Sequence, residues 1–375
     1  MILIIMKKFF YLTFLDLNSE NNLGLKKKID SQIKAFEQHN LDLYYNYKRS
    51  NKLIFKDFEY EFKNKIDYRL NRFNVIYKFL LEKNIKFIYI RYPLTDIFFL
   101  LFLRKIKSDN TKIFLEIPTF PYDFETNNIN YFSIQYLNII SDKVLRIVLK
   151  KYIYKIVTFS DDDEIFSIDT IKISNGINLE SIPLSKKRHI KNKKAFNIIS
   201  VSSLNYWHGI DRLIKGLNLY FKEEGIYKNI KLHIVGDGPE KENLIKLVNR
   251  YELNNNVIFY GYKTDYELNQ IFAKADIAAG SLGRFRSGIK KMKALKNTEY
   301  AARGLPMFYS EINTDFDDKE FVFKVSHDEK YIKFNQIIEF YNNLRISPLQ
   351  IRNFVEKNIT WEKQMGKIVR EILID

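Results

Sequence analysis

The chain has 375 residues and a mass of 45.0 kDa, more than one hydrophobic core comfortably fills, so two or three domains are expected. With 46% hydrophobic and 28% charged residues the composition is globular; the lack of cysteine excludes disulfide scaffolds and thiolate chemistry, and five histidines disfavour a multi-histidine metal centre. Sixty-one Lys/Arg against 45 Asp/Glu leave a net charge of +16, which points to an anionic partner: nucleic acid, acidic lipid or a phosphorylated metabolite.

The opening Met1–Met6 is apolar but precedes Lys7 and Lys8, the reverse of a signal peptide's order, and Met6 is a plausible start. The longest apolar run, Ile97–Leu103, falls far short of the ~20 residues that span a bilayer and reads as a core helix. A cytoplasmic location is expected, with contact at the inner face of the membrane as a further expectation from the basic N-terminal half. Lys8–Leu15 reads as a buried strand, followed by a helical repeat of Leu25, Ile29, Ile33 and Phe36. Strands are predicted at Leu41–Tyr47, Lys86–Arg91, Lys112–Ile117 and Lys155–Ser160, each separated by a helix-length segment, the βαβ rhythm of a covered parallel sheet. The acids of Asp161–Asp163 read as a helix start rather than a metal site.

Residues 186–195 are basic and aperiodic, as a linker should be. The rhythm then restarts: strand Phe196–Val201, helix Ile210–Glu224, strand Lys231–Val235, helix Pro239–Tyr251, then strands at Val257–Tyr260, Ile277–Ala279 and Pro306–Tyr309. The expected organisation is an N-terminal Rossmann-like domain over 1–185, the linker 186–195, a second over 196–358, and a final helix over 359–375 that crosses back to the first. Such domains bind ligands at the carboxyl ends of their strands, so a central cleft between them is the natural site.

Three segments carry candidate chemistry. Gly24 with Lys26–Lys28 places a glycine and three cations where the first strand turns into its helix, a place to hold a phosphate or an anionic acceptor. Gly236-Asp-Gly238-Pro239 gives glycines for close backbone approach and a proline at a helix start. Gly280-Ser-Leu-Gly283 follows a strand and leads into Arg284, Arg286, Lys290, Lys291, Lys293 and Lys296, then a helix bearing Glu299 and closing at Arg303-Gly304 before Pro306. Cations beside a lone carboxylate suit a diphosphate joined to a polyol.

In order, Val235–Glu240, the Asn256–Gly261 strand, Ala275-Asp276 and Glu299–Pro306 resemble the C-terminal domain of retaining glycosyltransferases of the GT-B fold, family 4 or glycosyltransferase group 1. Asn18–Gly24 with its lysines resembles the family's first loop, and Glu116–Glu125 and Trp207–Arg212 are similar to segments of its bacterial polysaccharide enzymes. The resemblance implies an α/β, GT-B architecture of two doubly wound domains. It also implies transfer of a sugar, with retention, from a UDP- or GDP-linked donor to a hydroxyl of a glycan or lipid-linked acceptor. No cofactor, metal or nucleic acid is implied. By resemblance Glu299 binds the nucleotide ribose and Lys296 precedes it by three, as in a common variant. Gly24, His208, Gly236, Tyr262, Gly280, Gly283, Arg284, Arg286, Lys291 and Lys296 complete the donor set. Departures are Lys291, where the family often has a first glutamate eight residues before the second, and Ser203 and His208, where it has Arg and Lys. No histidine stands near Glu116–Asp123, so Glu116 or Asp123 is expected to orient a substrate sugar there. The alternatives are a sugar-nucleotide epimerase of the same fold and a non-enzymatic RNA- or membrane-binding protein.

Overall fold

The structure, a computed structural model, describes residues 6–18, 23–122, 134–185, 195–223, 225 and 229–374. The chain divides into two compact units, Met1–Ser174 with Trp361–Asp375, and Asn175–Thr360. Residues 175–185, placed by composition with the first domain, thus belong to the second unit. There Ile177 bridges Thr360 and the Ser185 N–H donates to the Arg303 carbonyl at 2.8 Å. The basic run marks no unit boundary, and 186–194 lie outside the described residues.

In the first unit the strands are β1 (Lys8–Leu12), β2 (Asp42–Arg49), β3 (Lys52–Phe55), β4 (Glu59–Glu61), β5 (Phe87–Arg91), β6 (Lys112–Ile117), β7 (Lys155–Thr158), β8 (Glu164–Ile165) and β9 (Ile168–Lys172). They form one sheet in the order β4-β3-β2-β1-β5-β6-β7-β9-β8, parallel from β2 to β9 with antiparallel hairpins at both edges. Helices α1 (Leu23–Glu37), α2 (Lys65–Lys83), α3 (Ile97–Ser108) and α4 (Ile134–Leu145) connect them. Alternation along β1 divides the core. Phe10 and Leu12 pack with Phe73 and Ile76 of α2 and Phe99 of α3; Phe9 and Tyr11 pack with Ile33 and Phe36 of α1 and with Trp361 and Met365 of the C-terminal helix. A one-residue slip would exchange the two sets, so the register is fixed by burial. Asn64 caps α2 by accepting the Ile66 and Asp67 N–H groups, and Asp96 caps α3 by accepting that of Phe99.

Asp161–Asp163 start no helix. They lead into the β8–β9 hairpin, whose two turn residues Phe166 and Ser167 both have positive φ (53° and 56°). A two-residue hairpin of that kind usually advertises itself with Asn-Gly, and Phe-Ser gives no such signal. The Asp163 carboxylate pairs with Lys172 at 2.6 Å.

Among its described residues the second unit has six parallel strands: β10 (Phe196–Val201), β11 (Ile230–Val235), β12 (Val257–Phe259), β13 (Ile277–Ala279), β14 (Met307–Tyr309) and β15 (Val322–Lys324), in the order β12-β11-β10-β13-β14-β15. Its helices are α5 (Ile210–Lys222), α6 (Lys241–Arg250), α7 (Asp265–Phe272), α8 (Leu295–Ala302), α9 (Phe334–Asn343) and α10 (Pro348–Asn358). The last helix, α11 (Trp361–Leu373), packs on α1 in the first unit. From β10 the chain winds outward to β12, then returns to β13 on the other side, so strand order reverses between β10 and β13. A crevice opens at the carboxyl ends of strands at such a point.

Candidate active site

The loops that follow β10 and β13 meet at this switch point. Gly209, with φ +67°, lies against Gly283: a Cβ on Gly209 would stand 2.7 Å from the Gly283 nitrogen. The Leu282 N–H donates to the His208 carbonyl at 2.9 Å, and the Ser310 N–H to the Ser281 carbonyl at 3.0 Å. Tyr300 of α8 ties both strand ends together, accepting the Val201 N–H at 3.0 Å and donating to the Ala279 carbonyl at 3.3 Å. A Cβ on Gly280 would stand 2.8 Å from the Asn297 Oδ1, so this glycine lets α8 approach the loop.

Within this frame sits a group of buried polar atoms without hydrogen-bond partners among the described residues: Lys296 Nζ, Arg284 Nε, Asn297 Oδ1, Glu311 Oε2, Ser281 Oγ and Ser202 Oγ. Buried polar atoms are normally paired, so such a concentration marks a place built for something absent from the chain itself. Burial lowers the Lys296 ammonium to about 8, with Glu311 opposing the fall and Arg284 adding to it. Burial likewise lowers Arg284, against the attraction of Glu311. Glu311 is raised by its own burial, which Lys296 and the Asn297 amide (3.2 Å) partly offset. His208 falls to about 3 through burial and the nearby Lys296 and Arg284 charges. Its Nδ1 accepts the Asn205 N–H at 3.2 Å, so the neutral ring carries its proton on Nε2 as a donor. Two cations, a neutral imidazole donor and serine hydroxyls around one crevice can bind an anion through charge-assisted hydrogen bonds.

The run of six cations does not act together. All five N–H groups of Arg286 are engaged: Nε and Nη2 by Glu329, Nη1 and Nη2 by Asp211 (2.8 and 3.0 Å), and Nη1 by the Tyr206 carbonyl (2.7 Å). Arg286, expected to meet phosphate, instead locks the turn 284–287 onto 206–211. Lys291 is exposed, and among the described residues it pairs through its backbone alone, with Ile312. Arg212, which sequence reasoning did not place in the site, is wholly buried. It donates to the carbonyls of Leu282, Lys330 (2.6 Å) and Ser326 (3.0 Å), clamping the glycine loop from beneath. The His327 Nδ1 faces the Ser310 carbonyl at 3.2 Å, and its buried Nε2 has no hydrogen-bond partner among the described residues.

Glu299 lies on α8, half-buried, and accepts two N–H groups of Arg303 at 2.7 and 3.1 Å; the Arg303 guanidinium stacks 3.9 Å from the Phe272 ring. Gly236, with φ +124°, packs against the Ser202 carbonyl, and its N–H donates to the Gly261 carbonyl at 2.8 Å. Next to Gly261, Tyr262 is 79% exposed, leaving a free aromatic face on the loop after β12.

The first-unit residues fare differently. Glu116 is 0% exposed; it accepts Arg91 Nη1 at 2.6 Å and the Tyr89 hydroxyl at 3.0 Å. It is sealed within a buried pair and cannot orient a sugar, correcting the sequence expectation. Nearby Lys28 is lowered to about 8 by burial, with Glu116 opposing, and lies 3.7 Å above the Phe159 ring. Gly24 falls in the first turn of α1, exposed, with open space where a Cβ would point. Asp123 lies outside the described residues. Among the described residues no cluster of acids and histidines suits a metal ion, and no helix is long and apolar enough to cross a membrane.

Residues 181–314 match the family model described as Glycosyl transferases group 1. No curated protein sequence matches the chain. Among solved structures the chain is similar to a glycosyltransferase from Rickettsia africae (12% identity, 98% of each chain, TM-score 0.64). It is also similar to the sucrose-phosphate synthase of Thermosynechococcus elongatus (12% identity, 98% and 99% of the chains, TM-score 0.62). A third is the catalytic domain of starch synthase IV from Arabidopsis thaliana bound to ADP and acarbose (11% identity, 97% and 98%, TM-score 0.60). At these identities the likenesses speak for the fold, which is GT-B.

Proposed function

We propose that this GT-B enzyme, a glycosyltransferase by its group 1 domain, moves a sugar from a UDP- or GDP-linked donor to a hydroxyl of a glycan acceptor with retention at the anomeric carbon. The observation that carries the reading is the buried, unpartnered Lys296 Nζ beside Arg284 at the carboxyl ends of β10 and β13. A diphosphate supplies what these cations lack. The starch synthase domain, similar in fold, is bound to ADP.

In this reading Lys296, Arg284 and the His208 Nε2–H meet the diphosphate, while Glu299 accepts ribose hydroxyls and Tyr262 lies against the base. The bond between the anomeric carbon and the diphosphate oxygen breaks, and one to the acceptor hydroxyl oxygen forms on the same face. The hydroxyl proton passes to a phosphate oxygen of the leaving group. Charge develops on that diphosphate as it departs, and fixed buried cations stabilise it without reorganising. The two side chains supply this charge themselves, so transfer is expected to proceed in EDTA. The acceptor is a lipid-linked glycan of polysaccharide assembly, met by the first unit at the cytoplasmic face of the membrane.

The test is transfer of radiolabelled sugar from a panel of UDP- and GDP-sugars to membrane lipid extract. Wild-type chain should label the extract with one donor class, and Glu299→Ala should lose most of that activity with an unchanged melting temperature. Full turnover by Glu299→Ala and Lys296→Met alike would overturn the assignment.

A further inference from the structure

A pocket of about 290 Å³ lies in the first unit beyond the carboxyl end of β5, lined by Tyr68, Arg69, Arg72, Thr95, Asp96 and Asn138 among others. Arg72 is fixed by packing: its guanidinium lies 4.4 Å from the Phe73 ring, one N–H donates to the Arg69 carbonyl at 2.7 Å, and another meets Asp96 at 3.5 Å. Among the described residues, three of its five N–H groups have no hydrogen-bond partner. Arg69 is exposed, and its guanidinium has no partner among the described residues. The nearby acid, Asp96, is largely committed to capping α3 through the Phe99 N–H at 2.7 Å.

The loop forming the pocket wall is held in an unfavourable shape. Leu94 has φ +69°, a left-handed conformation that a branched side chain resists. Asp142 of α4, 1% exposed, keeps the loop in place by accepting the Thr95 N–H at 2.8 Å and the hydroxyls of Tyr92 and Tyr122. The pocket is therefore built rather than incidental.

The three helices around it share a second feature. Each shows solvent an aliphatic pair four residues apart: Ile66 and Leu70 on α2, Ile97 and Leu101 on α3, Ile140 and Val144 on α4. Helices α2 and α3 adjoin through Phe73 against Phe102 (5.0 Å), and α4 meets the loop before α3 through Ser141 Oγ donating to the Thr95 carbonyl (3.2 Å). Helices α2 and α3, and α4 with the turn that follows it to Lys151, carry twelve lysines and arginines against three acids. That is nine of the chain's sixteen net positive charges. Exposed aliphatic side chains interleaved with cations on neighbouring helices suit an interface that is anionic outside and apolar beneath.

We propose that this face docks on an anionic phospholipid bilayer, with a lipid phosphate seated between Arg69 and Arg72 and the aliphatic pairs entering the headgroup–acyl boundary. The proposal rests on the reading that the acceptor is lipid-linked, and it places that acceptor's membrane against the first unit. A free anion would satisfy the two arginines but leave the aliphatic pairs unexplained; RNA would use the lysines and likewise leave them exposed.

The experiment is co-sedimentation of the full chain with phosphatidylcholine vesicles, with and without phosphatidylglycerol. Wild-type chain should bind only the vesicles that contain phosphatidylglycerol. Arg69→Glu, and Ile97→Asp with Leu101→Asp, should each weaken binding by about tenfold or more, since each basic residue near an anionic surface counts for roughly a fivefold change in partition. Lys357→Glu, the same charge reversal on α10 of the second unit, should leave binding unchanged. Failure of wild-type chain to bind, or equal losses in all three variants, would overturn the proposal. So would equal binding of an RNA oligonucleotide with the same dependence on Arg69. Stabilisation of each variant by UDP or GDP is measured alongside; it reports on the second unit alone and separates failure here from failure of the donor-site reading.

Discussion

Replacing Lys296 by methionine together with Glu311 by glutamine should make the ligand-free protein more stable and the nucleotide far weaker. Burial takes the Lys296 ammonium from 10.5 to about 8, which corresponds to about 3 kcal/mol spent on keeping it charged in the fold at neutral pH. The folded value lies below the unfolded one, so the penalty is complete below about pH 8 and fades as pH rises towards 10.5. Glu311 is raised by burial and relieved partly by the lysine, so removing the lysine alone would strand the acid. The paired replacement removes both charges and keeps an acceptor for the Asn297 amide. At about 2–4 °C per kcal/mol for a domain of this size, the ligand-free melting temperature should rise by about 5–10 °C. Loss of one charge-assisted contact of about 1.5–3 kcal/mol should weaken nucleoside diphosphate binding by roughly tenfold to a hundredfold. Scanning fluorimetry and titration calorimetry on the same samples read both quantities. A less stable variant that binds nucleotide as tightly as wild type would refute the reasoning.

Three further outcomes are expected. Affinity for a nucleotide sugar, whose capped diphosphate has no proton to lose in this range, should hold up to about pH 8 and then fall by up to tenfold per unit as free Lys296 loses its proton, with no inflection near 6.5 because His208 is neutral down to about pH 3; calorimetry across pH 6–10 would show either course. Gly209→Ala should raise the donor KM steeply, since its Cβ would push Gly283 away, whereas Gly261→Ala, with φ +66° but open space around its Cβ, should leave donor binding intact. Glu116→Ala should lower stability by about 3–5 kcal/mol by leaving Arg91 unpaired in the interior, without changing nucleotide affinity; lost transfer at an unchanged melting temperature would argue for a role at the reaction centre.

The strands at Lys112–Ile117, Phe196–Val201 and Ile277–Ala279 fall where their apolar runs predict, because buried parallel strands leave short, dense, β-branched signals. The glycine loop before Lys296 was equally legible. Which cations of the run would share a task was not, since that depends on distant partners. Arg286 is captured by Asp211 and Glu329, and Lys293 lies 3.6 Å from Asp315. Arg212 and Glu311 escaped notice for the same reason: Arg212 clamps carbonyls 70 and 114 residues ahead of it. Glu116 could have been judged from parity. It shares a strand face with Phe114, which packs in the cluster under α1 and α11, so alternation alone points it into the core beside Tyr11 and Tyr89.

Donor recognition in the second unit comes down to a nucleoside diphosphate bound in the Lys296 crevice. A thermal-shift panel of UDP, GDP, ADP and their sugars, at low salt with EDTA, measures this in one experiment. Stabilisation by UDP or by GDP that grows with concentration, and disappears in the Lys296→Met, Glu311→Gln variant, is the predicted result. A well-folded wild-type protein that no nucleotide stabilises, or a variant that responds as strongly as wild type, would contradict it.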